Sequence, residues 1–199
     1  NKIRILADSI YDLLPPQRRD AFYQDVLFPV KACALINELY VTAGKNNLYA
    51  LQKRSCTNEM AAKARALFQA DTALMSYYNH TFANGKWNHF MDQTHLGYID
   101  WMPPKKNSLD AINLNEIMVP DSAIMGVGLE GTGSSWPGSP DEAVLPDFDI
   151  FSGRQHYIDI FNRGNASSDY TITSNNPWLS FSANKGTIGR KDLRIFVRL

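Results

Sequence analysis

Apolar residues recur at every third or fourth position from Lys2 to about Gln93, the spacing that lines one face of an α-helix. Ile3, Leu6, Ile10, Leu13 and Leu14 mark a first helix, which Pro15 and Pro16 end, since proline offers no backbone donor and biases its predecessor away from helix. Phe22, Val26, Val30, Cys33, Ile36 and Tyr40 mark a second, closed by Gly44 and expected to bend at Pro29. A short third segment covers Leu48 to Gln52. Thr57 can cap a fourth helix, with Met60, Ala64, Leu67, Phe68, Leu74, Met75 and Tyr78 on one face. A fifth is predicted over about Lys86 to Gln93. Short connections favour antiparallel neighbours, hence a helical bundle.

After Trp101 the pattern changes. MPPKKNSLDAIN has the composition of a linker, and the apolar period then becomes two. His156, Ile158 and Ile160 alternate with Tyr157, Asp159 and Phe161; Tyr170 and Ile172 share a face; Leu193, Ile195, Val197 and Leu199 share another. The separators NRGNASS, SNNP and ANKG are turn chemistry. The expected fold class is α+β in two parts. An antiparallel α-helical bundle covers residues 1–108, and an antiparallel β-sandwich, truncated if the last strand marks a cut, covers 109–199. Trp178, after Asn176 and Pro177, is expected at a strand edge in the core.

Composition narrows the function. Lys plus Arg and Asp plus Glu both number 20, so no charge surplus points to nucleic acid. No apolar run of about eighteen residues stands out, so no membrane partner is expected. Cys33 and Cys56 are too few for a disulfide framework and read as buried thiols. The opening NKIRILADSIYDLL has neither an initiator Met nor a signal-peptide layout and reads as the inside of a helix. The expectation is a piece of a longer protein, whose cellular address is not legible here.

The densest chemistry lies in GKWNHFMDQTHLGYIDW, from Gly85 to Trp101. His89, Asp92 and His95 are spaced three and three, so on a helix neighbouring members could share a face. Two His and a carboxylate can bind a metal. However, the usual helical His pair lies four apart, as in H-E-x-x-H, and no Cys pair supports zinc. A packed, hydrogen-bonded helix end competes with that reading, with Gly97 as terminator. So does a surface lining a neighbouring site, where Tyr98 and Trp101 suit a sugar. Asp71 falls on the apolar stripe of the fourth helix and needs a partner. Ser134 and Ser135 lack the G-x-S-x-G setting. Gly126, Gly128 and Gly131 fit G-x-G-x-x-G without a clear strand–turn–helix context or a following Lys. Asn79 and Asn165 begin glycosylation triplets.

Taken together, these stretches resemble glycoside hydrolase family 115, the xylan α-1,2-glucuronidases. GKWNHFMDQTHLGYIDWMPPKKN is similar to the family's signature, through Gly85, Lys86, Trp87, Asn88, His89, Met91, Asp92, Gln93, Thr94, His95, Gly97, Tyr98, Trp101, Pro104 and Asn107. RRDAFYQDVLFPVKACALINELY, MGVGLEGTGSSWPG, LPDFDIFSGRQHYIDIFNRG and NPWLSFSANKG extend the likeness over nearly the whole chain. Leu96, Ile99 and the SLDAIN stretch depart from it.

The resemblance implies a helical bundle and the start of a β-sandwich that follow a catalytic (β/α) barrel. The barrel would carry an inverting pair of carboxylates, and this chain is too short to contain it. No catalytic residue, metal ligand or cofactor is therefore expected here. The implied role is a non-catalytic accessory region of an enzyme that removes glucuronic acid, or its 4-O-methyl form, from xylan. Its implied partners are the barrel of its parent, a xylan-type polysaccharide and a homodimer mate. His89, His95, Tyr98 and Trp101 are the expected substrate contacts. A secreted or periplasmic bacterial parent fits that role. The rival expectations are a free-standing carbohydrate-binding module using Trp136, Tyr157 and Trp178, a small metalloenzyme using His89, Asp92 and His95, and a protein-interaction scaffold.

Overall fold

The computed structural model describes residues 2–97 and 102–199. The chain is α+β: a helical region comes first and antiparallel sheets follow. It forms two compact units that one cut in the sequence does not separate. The first holds Asn1–Lys45 and Met60–Leu114; the second holds Asn46–Glu59 and Asn115–Leu199.

The helices are α1 (Lys2–Leu13), α2 (Pro16–Phe22), α3 (Phe28–Leu51) and α4 (Thr57–His80). Pro16 opens α2, where a missing N–H costs nothing. The bend expected at Pro29 takes the form of a π-helical turn, Tyr23–Leu27, just ahead of it. There the Phe28 N–H reaches back five residues to the Tyr23 carbonyl. Widening the ladder beside a proline is a known way to absorb the lost bond.

Gly44 does not close α3, which runs on to Leu51 and absorbs the expected third segment. A glycine ends a helix when it turns left-handed, and the left-handed residue here is Lys53, with φ of 57°. Thr57 opens α4, but its hydroxyl donates to the Arg54 carbonyl at 2.6 Å rather than capping an N–H. The α2–α3 run, Pro16–Leu51, is by length and composition able to cross a membrane, contrary to the sequence expectation. In the first unit it buries Tyr23, Leu27, Phe28 and Leu39 against protein.

The fifth helix does not form. Phe82–Gly85 makes a 3-10 turn, and the chain continues in turns through Met91. Ala83, Asn84, Gly85 and His89 all have positive φ, which a right-handed helix cannot propagate. Gly97 does adopt the expected positive φ, at 80°, but it ends no helix.

Two clusters form the core of the first unit. Tyr23, Phe28, Tyr78 and Phe82 pack ring on ring, with Phe28 and Tyr78 centroids 4.4 Å apart. Leu39, Ala43, Ala64, Leu96 and Ile112 make the second. Ile112 comes from a short 3-10 turn, Leu109–Ile112, inside the expected linker. In α1 the buried residue is Ala7, beside Tyr11. Its larger apolar stripe of Ile3, Leu6, Ile10 and Leu13 is exposed, the reverse of the expected arrangement. Asp8 pairs with Lys31 at 2.8 Å, which links α1 to α3.

The second unit carries β1 (Met125–Leu129), β2 (Ser135–Trp136), β3 (His156–Asn162), β4 (Ser168–Thr171), β5 (Ser180–Phe181), β6 (Lys185–Ile188) and β7 (Leu193–Arg198). Five form an antiparallel sheet in the order β2-β1-β3-β7-β5, and β4 pairs with β6. The register sets Ile158 opposite Ile195 and His156 opposite Val197. The period-two reading therefore holds: Ile160 and Ile195 join Tyr170 in one cluster.

The other face is covered at Phe161, because the α3–α4 connector belongs to this unit, while Phe196 on the same face of β7 stays exposed. Phe161 is fully buried, and the Arg54 guanidinium lies 4.2 Å from its ring centroid. Gly126 and Gly128, read from sequence as loop, stand in β1. A Cβ at Gly126 would collide with the Phe161 ring, so only glycine lets the ring lie there. A turn and another strand follow β1, not a helix, so this is no phosphate loop of the strand–turn–helix kind. Trp178 is 57% exposed, not core. It follows the Ser174–Asn176 turn and precedes the two-residue β5.

Candidate functional site

The segment after α4 folds back by side-chain hydrogen bonds in place of a helical ladder. Asn79, near the end of α4, is buried and uses both ends of its amide. Its Nδ2 donates to Asp92 Oδ1 at 2.7 Å, and its Oδ1 accepts from the Met91 N–H at 2.9 Å. The Asp92 Oδ2 then lies 2.6 Å from His89 Nδ1. His89 ends 79% exposed at the surface, with Phe90 exposed beside it. Trp87 meets Phe90 edge-on at 5.3 Å and packs against the aromatic core.

His95 belongs to a separate arrangement. Its Nε2 lies 2.8 Å from Asp71 Oδ2 and its Nδ1 lies 3.0 Å from the Gln93 carbonyl oxygen. The Asn107 amide nitrogen also stands 3.5 Å from Nδ1. Asn107 Oδ1 accepts from the N–H groups of both His95 and Leu96, at 2.8 and 3.0 Å. Thr94 ties its hydroxyl to the Pro104 carbonyl. Asp71 is buried, and its Oδ1 has no hydrogen-bond partner among the described residues. The carboxylate on the apolar stripe thus has the partner it required, an imidazole 24 residues away in sequence.

A largely apolar cavity of about 460 Å3 adjoins these groups. Phe28, Ile36, Met75, Phe90, Met91 and His95 are among the residues that line it. Two of the four expected substrate contacts are therefore placed: His89 at the surface and His95, 26% exposed, on the cavity wall. Tyr98 and Trp101 lie outside the described residues.

The structure joins His89 with Asp92 and His95 with Asp71; it does not bring His89, Asp92 and His95 to one point. Among the described residues no three His, Cys, Asp or Glu side chains could share a metal ion. Asn79 and Asn107 escaped the sequence reading as anchors. Asn79 stood there only as a glycosylation triplet, a use that its buried, doubly bonded amide opposes. Asn165 is exposed and binds Asp121. One exposed Ser–His contact lies at the end of α4, where Ser76 Oγ stands 3.3 Å from His80 Nδ1, a ring nitrogen that also lies 3.0 Å from the Ser76 carbonyl of its own helical turn; the Asp71–His95 pair ties the following segment to α4.

Of the aromatic side chains expected to form a sugar platform, Trp136 is half-buried and donates Nε1–H to the Asp141 carbonyl at 2.9 Å. Tyr157 is covered by the Arg194 guanidinium, 3.6 Å from its ring centroid. Trp178 alone of the three is open to solvent. The chain matches no family model and no curated protein.

Proposed function

We propose that this chain is a non-catalytic accessory region of a glycoside hydrolase that removes glucuronic acid, or its 4-O-methyl form, from xylan. It braces the catalytic barrel of its parent and presents the His89–Phe90 edge toward the substrate groove or a dimer mate. The sheets form the start of a β-sandwich in that reading. The observation that carries the bracing role is the exposed apolar stripe of α1, formed by Ile3, Leu6 and Leu13. Nearby, Ile3, Pro29, Val30 and Val41 line an open groove of about 710 Å3. Apolar surface of this extent is the ordinary signature of an interaction face. The resemblance to the glucuronidase family supplies the substrate, and the rigid hydrogen bonding around His89 and His95 supplies a fixed polar edge.

Titration with a glucuronic-acid-decorated xylo-oligosaccharide, followed by tryptophan fluorescence, tests the substrate-facing part. Saturable quenching that disappears in His89→Ala supports it; His89 is exposed, so that variant keeps its fold. No response in the millimolar range of ligand rejects a direct substrate contact by this chain. The exposure of Trp178 favours a second reading, a carbohydrate-binding module on the sheet unit. Quenching lost in Trp178→Ala but retained in His89→Ala decides for that reading.

A further inference from the structure

The second unit contains another cavity, of about 510 Å3, far from the His-rich stretch in sequence. Its walls are Leu51 at the end of α3 with Gln52 and Lys53 after it, Gly133–Ser135 and Pro137–Ser139 from the Gly-rich stretch around β2, and Arg163. The loop is fixed in advance. Gln52 Nε2 donates to the carbonyls of Gly133 and Ser134, at 3.0 and 3.1 Å. The Ser139 N–H closes back on the Ser135 carbonyl.

Arg163 is held by neutral acceptors only. Nε donates to the Gln52 carbonyl at 3.1 Å, one terminal nitrogen to the Pro137 carbonyl at 2.7 Å, and the other to Ser135 Oγ at 3.0 Å. A guanidinium carries five N–H groups, so two remain to bind something else. Two other arginines of this unit are balanced by acids. Arg54 has Asp192 at 2.5 Å, and Arg194 has Asp159 at 2.8 Å. Arg163 forms no ion pair with any described residue, and burial lowers its pKa, as expected for a partly desolvated charge without a counter-charge.

Lys53 is an exposed residue that also lines the cavity, and its backbone is left-handed, with φ of 57°. Two cationic residues therefore line one cavity. The nearby acid is Asp141, which receives the Ser134 and Ser139 hydroxyls at 3.3 and 3.1 Å and is not part of the wall. Gly133 and Gly138 leave the loop backbone open to approach, with nothing nearer than 3.9 Å to a Cβ placed at either.

We propose that this cavity binds the oxyanion group of a small polar molecule, a carboxylate or a phosphate, through Arg163 and Lys53. Arginine's planar fork suits both groups. The volume exceeds that of a bare ion and lies within the range of small-molecule sites, about 300–1,000 Å3, so the oxyanion is one end of a larger ligand.

The test is a nitrogen–proton NMR titration of the 199-residue chain, at constant ionic strength in sodium chloride, with inorganic phosphate, gluconate and sorbitol. Gluconate and sorbitol share a polyol body and differ in charge. The expected result is saturable shifts at Gly133, Ser134 and Gly138 with phosphate, gluconate or both, and none with sorbitol. Response to one anion alone identifies which oxyanion the site takes. Lys53→Gln alters only an exposed side chain and should weaken binding about tenfold without moving the thermal midpoint. Arg163→Gln should abolish binding. Shifts with sorbitol equal to those with gluconate overturn the proposal. So does silence toward both anions, or an affinity unchanged in Lys53→Gln.

Discussion

Burial sets the chemistry of single residues here more than sequence neighbours do. Cys56 is buried beside Asp192, and burial together with that carboxylate pushes its thiol up to about 12. Cys33 is exposed, although the sequence pattern pointed to two buried thiols. A thiol reagent at pH 8 should therefore modify one cysteine in the native chain and two in denaturant; two rapid native reactions would contradict the packing around Cys56.

Glu130 offers a pH-dependent case. Burial alone would raise its pKa, but hydrogen bonds from His156, the Tyr157 N–H and Arg154 outweigh that and lower it. A carboxyl group with a depressed folded-state pKa stabilises the fold above its unfolded value and loses that contribution as pH falls through the folded one. Glu130→Gln should thus cost stability near neutrality and flatten its decline below about pH 4.3, the ordinary glutamate value. Urea midpoints measured from pH 7 to pH 3 check this, and parallel curves for the two proteins would refute it.

At the scale of elements, the local reading departs from the structure in both directions: one helix runs past its expected end and another does not form. Gly44 looked like a helix terminator, yet α3 passes through it, with open space where a Cβ would stand. Glycine inside a helix costs about 0.5–1 kcal/mol relative to alanine, so Gly44→Ala should raise the stability by that amount in chemical denaturation. A loss of stability would mean that the backbone at Gly44 is not helical in solution. The failed fifth helix illustrates the converse. Lys86 to Gln93 has helical spacing, but Asn79 binds Met91 and Asp92 more favourably in a turn, and the left-handed residues at 83–85 interrupt the ladder. No periodicity within the segment reports a partner 12 and 13 residues upstream of the groups it binds.

At the scale of the whole molecule, the sheet unit depends on chain that precedes it by some sixty residues. Asn46 holds Asn115 by its side chain, with Oδ1 accepting the Asn115 N–H at 2.7 Å and Nδ2 donating to the Asn115 carbonyl at 2.9 Å. Arg54, 2% exposed, sits between Asp192 and Asp159 and stacks on Tyr49 and Phe161. Breaking a buried ion pair on one side costs about 3–5 kcal/mol, because the remaining charge has no partner. A fragment of residues 109–199 removes Arg54, Asn46 and Gln52 at once. It should show poor NMR dispersion and no cooperative melt, while the whole chain shows both. A well-folded fragment would mean that the connector is dispensable to the sheet.

The sequence by itself determined the class of each half. Apolar spacing of three and four marked α3 and α4, and alternation marked β3 and β7, because those periods follow from backbone geometry alone; that Phe161, on the opposite face, is fully buried was not part of that pattern. It also required a partner for Asp71, since a carboxylate on an apolar stripe cannot stay bare. Only the tertiary structure decided which partner that is, which face of α1 is buried, and that residues 46–59 join the sheets. Those outcomes depend on contacts between residues far apart in the chain, such as Asp71 with His95 and Arg54 with Asp192. The cavity around Arg163 belongs to the same class: its cations, Lys53 and Arg163, are 110 residues apart, and folding alone brings them to one wall.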